Sequence, residues 1–410
     1  MSGPLRVACV SVSASLGGSE RVLLDFAARA RVHDIETLLV VPKDGPLIQA
    51  AAAAGVPSVI APARDDFLDL SQRASPGLSA LSAFPLGLAA WARSIVSTLR
   101  EAGWHTPRPV LYSNGFKAHL ACALLPLHRR VWHLHEFPPA GIGGAWRLVA
   151  GALPHAVIAN SQAVADAWRT PFFRDPVPVL NGVDLALFAP APRTFWIHDQ
   201  LGLPHEARLI GMPAVFARWK GHMLVIEAFE RAALRLRDAH LVLVGGMIYD
   251  TAAERGFANE LVRRVGRSSL SGGATPLNDR IHFLRFQPDP WRLYPEFDVV
   301  VHFSVRPEPF GRVVVEAMAC GAPVIAARAG GPVEIVEHDV SGWLVEPRNV
   351  QALADTMVLS LAADREAIGA AGRRTAEGSF SAERFAKEVA AALRGSKRGG
   401  AAGAATPEAT

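Results

Sequence analysis

The sequence predicts an α/β protein of two doubly wound parallel-sheet lobes facing each other across a central cleft. Three observations predict it. Short apolar runs recur at residues 38–41, 110–112, 131–134, 156–159, 209–211, 241–244 and 299–303, separated by helix-length segments rich in Ala, Leu and Arg. Such alternation is the pattern of parallel sheets covered on both faces, with ligands at the carboxyl ends of the strands. The chain of 410 residues is half apolar, enough for about two or three packed cores. A turn-prone Asn181-Gly182 precedes the Pro/Ala-rich stretch 188–193 and divides the chain into similar halves. The expected organisation is a first lobe over residues 1–184, a second over 185–380, a helix over 381–395 crossing back to the first lobe, and a disordered tail over 396–410. The tail consists of Gly, Ala, Ser, Thr, Pro and a few charges and cannot bury a core.

Composition narrows the function. A net charge of +4 without a Lys/Arg stripe disfavours nucleic acid as a partner and suits an anionic substrate or a membrane surface. Cys9, Cys122 and Cys320 lie far apart, which argues against a disulfide frame or a zinc site and for a reducing compartment. The N-terminus runs straight into strand-like residues without the features of a signal peptide, so a cytoplasmic protein is expected. No apolar run reaches the roughly 18 residues that span a bilayer. Residues 78–93, with Trp91 and Arg93, allow peripheral contact with the inner membrane face, but a core-packing helix is the preferred reading.

Along the first lobe, Ser15-Leu16-Gly17-Gly18-Ser19-Glu20-Arg21 follows the first strand and opens a helix, so Gly17 and Gly18 can admit an anion to backbone N–H groups. An ordinary turn capped by Ser19 is the plainer reading. In Val131-Trp132-His133-Leu134-His135-Glu136, strand alternation puts both histidines on one face, and no third ligand of convincing spacing suggests a metal. Asn160-Ser161 ends another strand and is set to cap the following helix.

In the second lobe, Ala217-Arg218-Trp219-Lys220-Gly221-His222 leads into a helix, and Gly245-Gly246 ends a strand. The most informative stretch is Pro307-Glu308-Pro309-Phe310-Gly311-Arg312-Val313-Val314-Val315-Glu316, after the strand at 299–303. It reads as a loop followed by a helix from Arg312 that Gly321 stops. The first-turn N–H groups of Phe310, Gly311 and Arg312 and the helix dipole favour a bound pyrophosphate. Glu308 and Glu316 are placed to accept different hydroxyls of one nucleotide sugar. The plainer reading makes Glu316 the i,i+4 ion-pair partner of Arg312 on a solvated face. Near the end, Ser381 opens a helix that Gly395 closes.

Together with Ala329-Gly330-Gly331-Pro332-Val333-Glu334 and Ser341-Gly342-Trp343-Leu344-Val345-Glu346-Pro347, this stretch resembles the retaining family 4 (group 1) glycosyltransferases over roughly residues 5–394. The resemblance implies two Rossmann-like domains, the GT-B architecture. It implies a retaining, hexosyltransferase-type enzyme that moves a sugar from a nucleotide diphosphate to a hydroxyl acceptor in polysaccharide, glycolipid or other glycoconjugate biosynthesis. It implies that Glu316 holds the ribose, Glu308 the transferred sugar and Lys220 the pyrophosphate, that Gly17 and Gly18 approach donor phosphate and acceptor, and that His135 faces the sugar. No Asp-x-Asp motif and no P-loop occur, so the nucleotide sugar is expected as co-substrate with no metal and no cofactor.

Two positions depart from the family pattern. The arginine that usually follows a glycine upstream of the lysine is replaced near Ala214 and Val215, with Arg218 as the candidate substitute, and Arg285 stands where relatives carry glycine. These departures keep a non-catalytic sugar-nucleotide-binding or assembly protein in view, beside other GT-B reactions such as phosphorolysis or epimerisation.

Overall fold

The computed structural model describes residues 3–69, 78–139, 151–246, 256–268 and 277–395. The chain forms two wholly parallel sheets. The first contains β1 (Leu5–Ser11), β2 (Ile35–Val41), β3 (Ser58–Ile60), β4 (Val110–Asn114), β5 (Arg130–Leu134), β6 (Ala156–Ala159) and β7 (Pro176–Pro178), in the order β3-β2-β1-β4-β5-β6-β7. The second contains β8 (Arg208–Pro213), β9 (Ala239–Gly245), β10 (Ile281–Arg285), β11 (Val299–His302), β12 (Val324–Ala327) and β13 (Trp343–Val345), in the order β10-β9-β8-β11-β12-β13. Each sheet reverses its winding once, between β1 and β4 and between β8 and β11. Ligands bind outside the carboxyl ends of strands at such switch points.

Alternate residues of each strand feed cores on opposite faces. Val7, Cys9 and Leu39 pack with Phe26 on one side of the first sheet, while Ala8, Val10 and Leu38 pack with Trp91 and Trp132 on the other. Helix Leu78–Glu101 buries Leu88, Trp91, Ala92, Ile95 and Leu99, and the Trp91 Nε1–H donates to the Ala61 carbonyl at 3.0 Å. The aromatic residue that made a lipid contact thinkable is core. Among the described residues no helix is long and apolar enough to cross a membrane.

The chain passes between the lobes twice at one place. The Val183 N–H donates to the Phe380 carbonyl at 2.8 Å and the Ala382 N–H returns to the Val183 carbonyl at 2.9 Å. Helix Ala382–Arg394, capped by the Ser381 hydroxyl on the Arg384 N–H and closed by Gly395 at φ +77°, then lies on the first lobe. Its Phe385, Val389 and Leu393 are fully buried, each contributing about 1.5–3 kcal/mol. The residues read as a disordered tail lie outside those described.

Candidate active site

The switch points of both sheets open onto one cleft of about 860 Å³, and residues of both lobes line it. On the second-lobe side the frame is set by glycines that allow backbones to touch. A Cβ at Gly221, which has φ +81°, would lie 2.0 Å from the Phe303 carbonyl oxygen, and one at Gly330, φ +73°, would lie 2.1 Å from that of Glu308. The Gly331 N–H donates to that same Glu308 carbonyl at 2.8 Å. The Ala-Gly-Gly segment therefore serves as a backing plate that fixes the Glu308 loop.

The Glu308 carboxylate accepts from Lys220 Nζ at 2.9 and 3.1 Å and from the Ser304 hydroxyl at 2.8 Å, with His302 Nε2 at 3.5 Å. Burial alone would push its pKa up, but the Lys220 charge and the hydrogen bonds bring it down to about 2. Burial lowers His302 to about 4, so that ring is neutral at physiological pH. Lys220 Nζ also sits 3.9 Å from the centre of the Trp219 ring, in cation–π range.

Glu316 is buried, with 8% of its side chain exposed. The Tyr294 hydroxyl donates to its Oε2 and Arg312 Nε to its Oε1, both at 2.6 Å. The i,i+4 pair with Arg312 is present, yet it is an enclosed clamp rather than a solvated surface pair. Arg312 Nη1 reaches on to Asp25 of the first lobe at 2.9 Å. Helix Arg312–Ala319 begins at Gly311, φ +103°, without a side-chain cap, and the N–H groups of Phe310, Gly311, Arg312 and Val313 have no partner among the described residues. These are the orphan donors that an anion accepts. The Phe310 ring itself packs against Phe380 in the core, so only its backbone faces the ligand side.

On the first-lobe side, helix Gly18–Arg29 starts at Gly17, not under a Ser19 cap; the Ser19 hydroxyl instead donates to the Glu20 carboxylate at 3.1 Å. That carboxylate folds back over the helix start, because a Cβ on Gly17 would lie 2.7 Å from its Oε2. The turn thus already holds the Glu20 carboxyl group beside Gly17, and burial raises the pKa of that group. His135 follows β5, its ring 3.9 Å from that of His133, and its Nε2 has no hydrogen-bond partner among the described residues. Burial lowers the pKa of His135 and keeps it neutral. Among the described residues no three His, Cys, Asp or Glu side chains group around a possible metal position.

One expectation fails on geometry, and one departure from the family pattern lies outside the cleft lining. Arg218 does not enter the cleft. It pairs with Glu260 at 2.6 Å and lies over Phe257 at 4.8 Å, and it is not among the residues lining the cleft. Arg218–Lys220 is a 3₁₀ turn, in which residues two apart are rotated by roughly 240°, so the turn that aims Lys220 inward aims Arg218 away. Arg285 is exposed at the end of β10, and Phe286 and Gln287 line the cleft in its place. Sequence reasoning missed Tyr294, Asp25, Ser304 and Arg21. Of these, Arg21 and Asp25 carried a signal, one helical turn apart directly after Gly17-Gly18.

Residues 195–375 match the family of group 1 glycosyl transferases. The second lobe is a group 1 glycosyltransferase domain. The D-inositol 3-phosphate glycosyltransferases of Mycolicibacterium gilvum and Kribbella flavida are 34% and 32% identical to the chain over 220 and 271 residues. Those alignments cover 52% and 63% of this chain and 46% and 60% of the relatives, so the chain spans about half the length of the curated relatives it matches. Alr3699/HepE of Anabaena, solved with UDP and glucose, superposes with a TM-score of 0.77 at 25% identity, covering 95% of this chain and 99% of that one. Its UDP-glucose complex gives 0.78 at 26%, covering 95% and 100%. The two-lobed GT-B architecture therefore extends over both sheets. In the group 1 domain, Glu308, Glu316 and Lys220 converge on the same wall of the cleft.

Proposed function

We propose that the protein moves a sugar from a nucleoside diphosphate sugar to a hydroxyl acceptor, retaining the anomeric configuration and using no metal ion. The observation that carries this reading is the Lys220–Glu308 pair beside the unpartnered N–H groups at the start of helix Arg312–Ala319. Lys220 places positive charge where the departing diphosphate gains negative charge, and the N–H groups add aligned dipoles at the same point. Glu308, held ionised, accepts hydroxyls of the transferred sugar, and Glu316, locked by Tyr294 and Arg312, accepts those of the ribose. Neutral His135 lines the cleft on the side of the sugar or acceptor and does not act as a strong base.

In this mechanism the bond from the anomeric carbon to the diphosphate oxygen breaks while the acceptor oxygen bonds to that carbon on the same face. The acceptor proton passes to the departing diphosphate oxygen, so no separate carboxylate base is needed. The UDP and UDP-glucose complexes of the Anabaena protein favour a UDP-sugar donor here. The unpaired, buried Cys9, Cys122 and Cys320 support a cytoplasmic setting. The test is acceptor-dependent release of nucleoside diphosphate from UDP-, GDP- and ADP-sugars in EDTA, with the product anomer read by NMR coupling. A sugar trapped covalently on a protein side chain would sink the same-face step.

A further inference from the structure

Among the described residues that line the cleft, three side chains are cationic: Arg21, Lys220 and Arg312. Two of them are already neutralised. Lys220 is bound to Glu308, and Arg312 is shared between Glu316 and Asp25. The guanidinium of Arg21 makes no hydrogen bond or ion pair with any described residue. Yet it is partly buried in the cleft wall, where its charge is felt by Arg312, Glu316, Asp25 and Tyr294. An arginine drawn out of water beside a second arginine, without a carboxylate of its own, is held at a cost.

Charge counting gives that cost a purpose. Lys220 and Glu308 sum to zero, and Arg312 with Glu316 and Asp25 sums to one negative charge, whereas a nucleoside diphosphate sugar brings a negative charge on each phosphate. Arg21 offsets that one negative charge, and among the described residues it is the lining cation that no carboxylate holds, in a wall that Glu20, Glu136 and Asp184 also line. Arg21 stands on the first turn of helix Gly18–Arg29, its own N–H bonded to the Gly17 carbonyl at 3.0 Å, and it lines the cleft within electrostatic reach of Arg312 and Glu316 of the second lobe. We propose that Arg21 is a donor-binding residue supplied by the first lobe, its guanidinium taking the phosphate oxygens of a nucleoside diphosphate seated on the second lobe. It fills the part that the outward-turned Arg218 leaves open, and the planar fork suits phosphate bidentately in a way a lysine does not. The donor site is then complete only when the two lobes face each other.

The inference rests on the nucleotide-sugar reading, and one calorimetric series separates the two. UDP, GDP and ADP are titrated into the full-length protein without metal, and the tightest of them is compared with its own nucleoside in wild type, R21A, R21Q and R21K. The expected result is a loss of about tenfold or more in diphosphate affinity for R21A and R21Q. Affinity for the nucleoside should stay unchanged, the salt dependence of diphosphate binding should flatten, and R21K should recover part of the loss. Diphosphate affinity in R21A and R21Q equal to wild type overturns the role of Arg21 alone. A wild-type protein that binds none of the three diphosphates overturns the nucleotide-sugar reading and this inference with it.

Discussion

Arg312 couples the lobes to the donor site: its Nη1 donates to Asp25 of the first lobe at 2.9 Å while its Nε holds Glu316 at 2.6 Å. Burial opposes its charge, but the two carboxylates more than offset that and raise its pKa. The orientation of the Glu316 carboxylate therefore depends on the relation of the lobes. Asp25→Asn keeps a side chain of the same size and removes the charge, so Glu316 should lose one restraint. The expected outcome is a donor KM raised by about tenfold with kcat changed much less, in line with the roughly 1.5–3 kcal/mol of a charge-assisted bond. Steady-state kinetics on D25N checks it, and an unchanged KM would show that closure and Glu316 are independent.

Lys220 and Glu308 are 13% and 12% exposed, so removing one partner strands a charge in a low-dielectric wall. Lys220→Ala is expected to cost about 3 kcal/mol of folding stability, whereas the double variant Lys220→Met/Glu308→Gln should regain most of it and remain inactive. Urea unfolding of the three variants, set beside their transfer rates, separates the structural role of the pair from its chemical one.

The same pair predicts a pH dependence with a definite sign. The Glu308 carboxyl falls from an ordinary 4.5 to about 2 on folding. A depressed carboxyl stabilises the fold fully above its unfolded value, and that stability drains away as pH falls through the folded value. Wild type should lose stability faster than Glu308→Gln between about pH 5 and about pH 2. Parallel slopes in denaturation midpoints over that window would contradict the assignment.

Tyr294→Phe deletes the hydroxyl that donates to Glu316 at 2.6 Å and leaves a buried carboxylate oxygen unsatisfied. A cost of about 1–3 kcal/mol is expected, read as a lower melting temperature and a weaker grip on the nucleotide. If Glu316 holds ribose hydroxyls, the affinity lost should be larger for a ribonucleoside diphosphate than for its 2′-deoxy analogue.

Gly330→Ala would place a methyl 2.1 Å from the Glu308 carbonyl oxygen in a backbone at φ +73°. The loop must shift, and with it Glu308. A stability loss of about 2 kcal/mol or more is expected, with transfer activity lost alongside it.

Much of this was legible because the signals were local. The helix Ala382–Arg394 announces both of its ends through Ser381 and Gly395, and the strands stand out as unbroken Val/Leu/Ile runs between glycines. The helix start at Phe310, Gly311 and Arg312 reads locally as an anion site, and Glu308, Glu316 and Lys220 sit in short segments that a family resemblance singles out. The rest depends on where distant segments land. Tyr294 lies in a short 3₁₀ turn with no periodic pattern, and only the folded second sheet brings it to Glu316. Arg218 misled because adjacency to Lys220 in sequence suggests adjacency in space, which the tight turn denies. Asp25 and Arg21 share a helix face across from a lobe whose approach no local pattern encodes.

The most direct test of the account is thermal stabilisation by UDP-, GDP- and ADP-sugars with no metal added, comparing the natural protein with Glu316→Gln and Lys220→Ala. A ligand that binds only the folded state contributes about 2.7 kcal/mol at a hundredfold excess over Kd, enough to raise the melting temperature clearly. The account predicts that one nucleotide class stabilises the natural protein and that both variants lose most of the shift. No shift with any of the three sugars, or equal shifts in the natural protein and both variants, would contradict it.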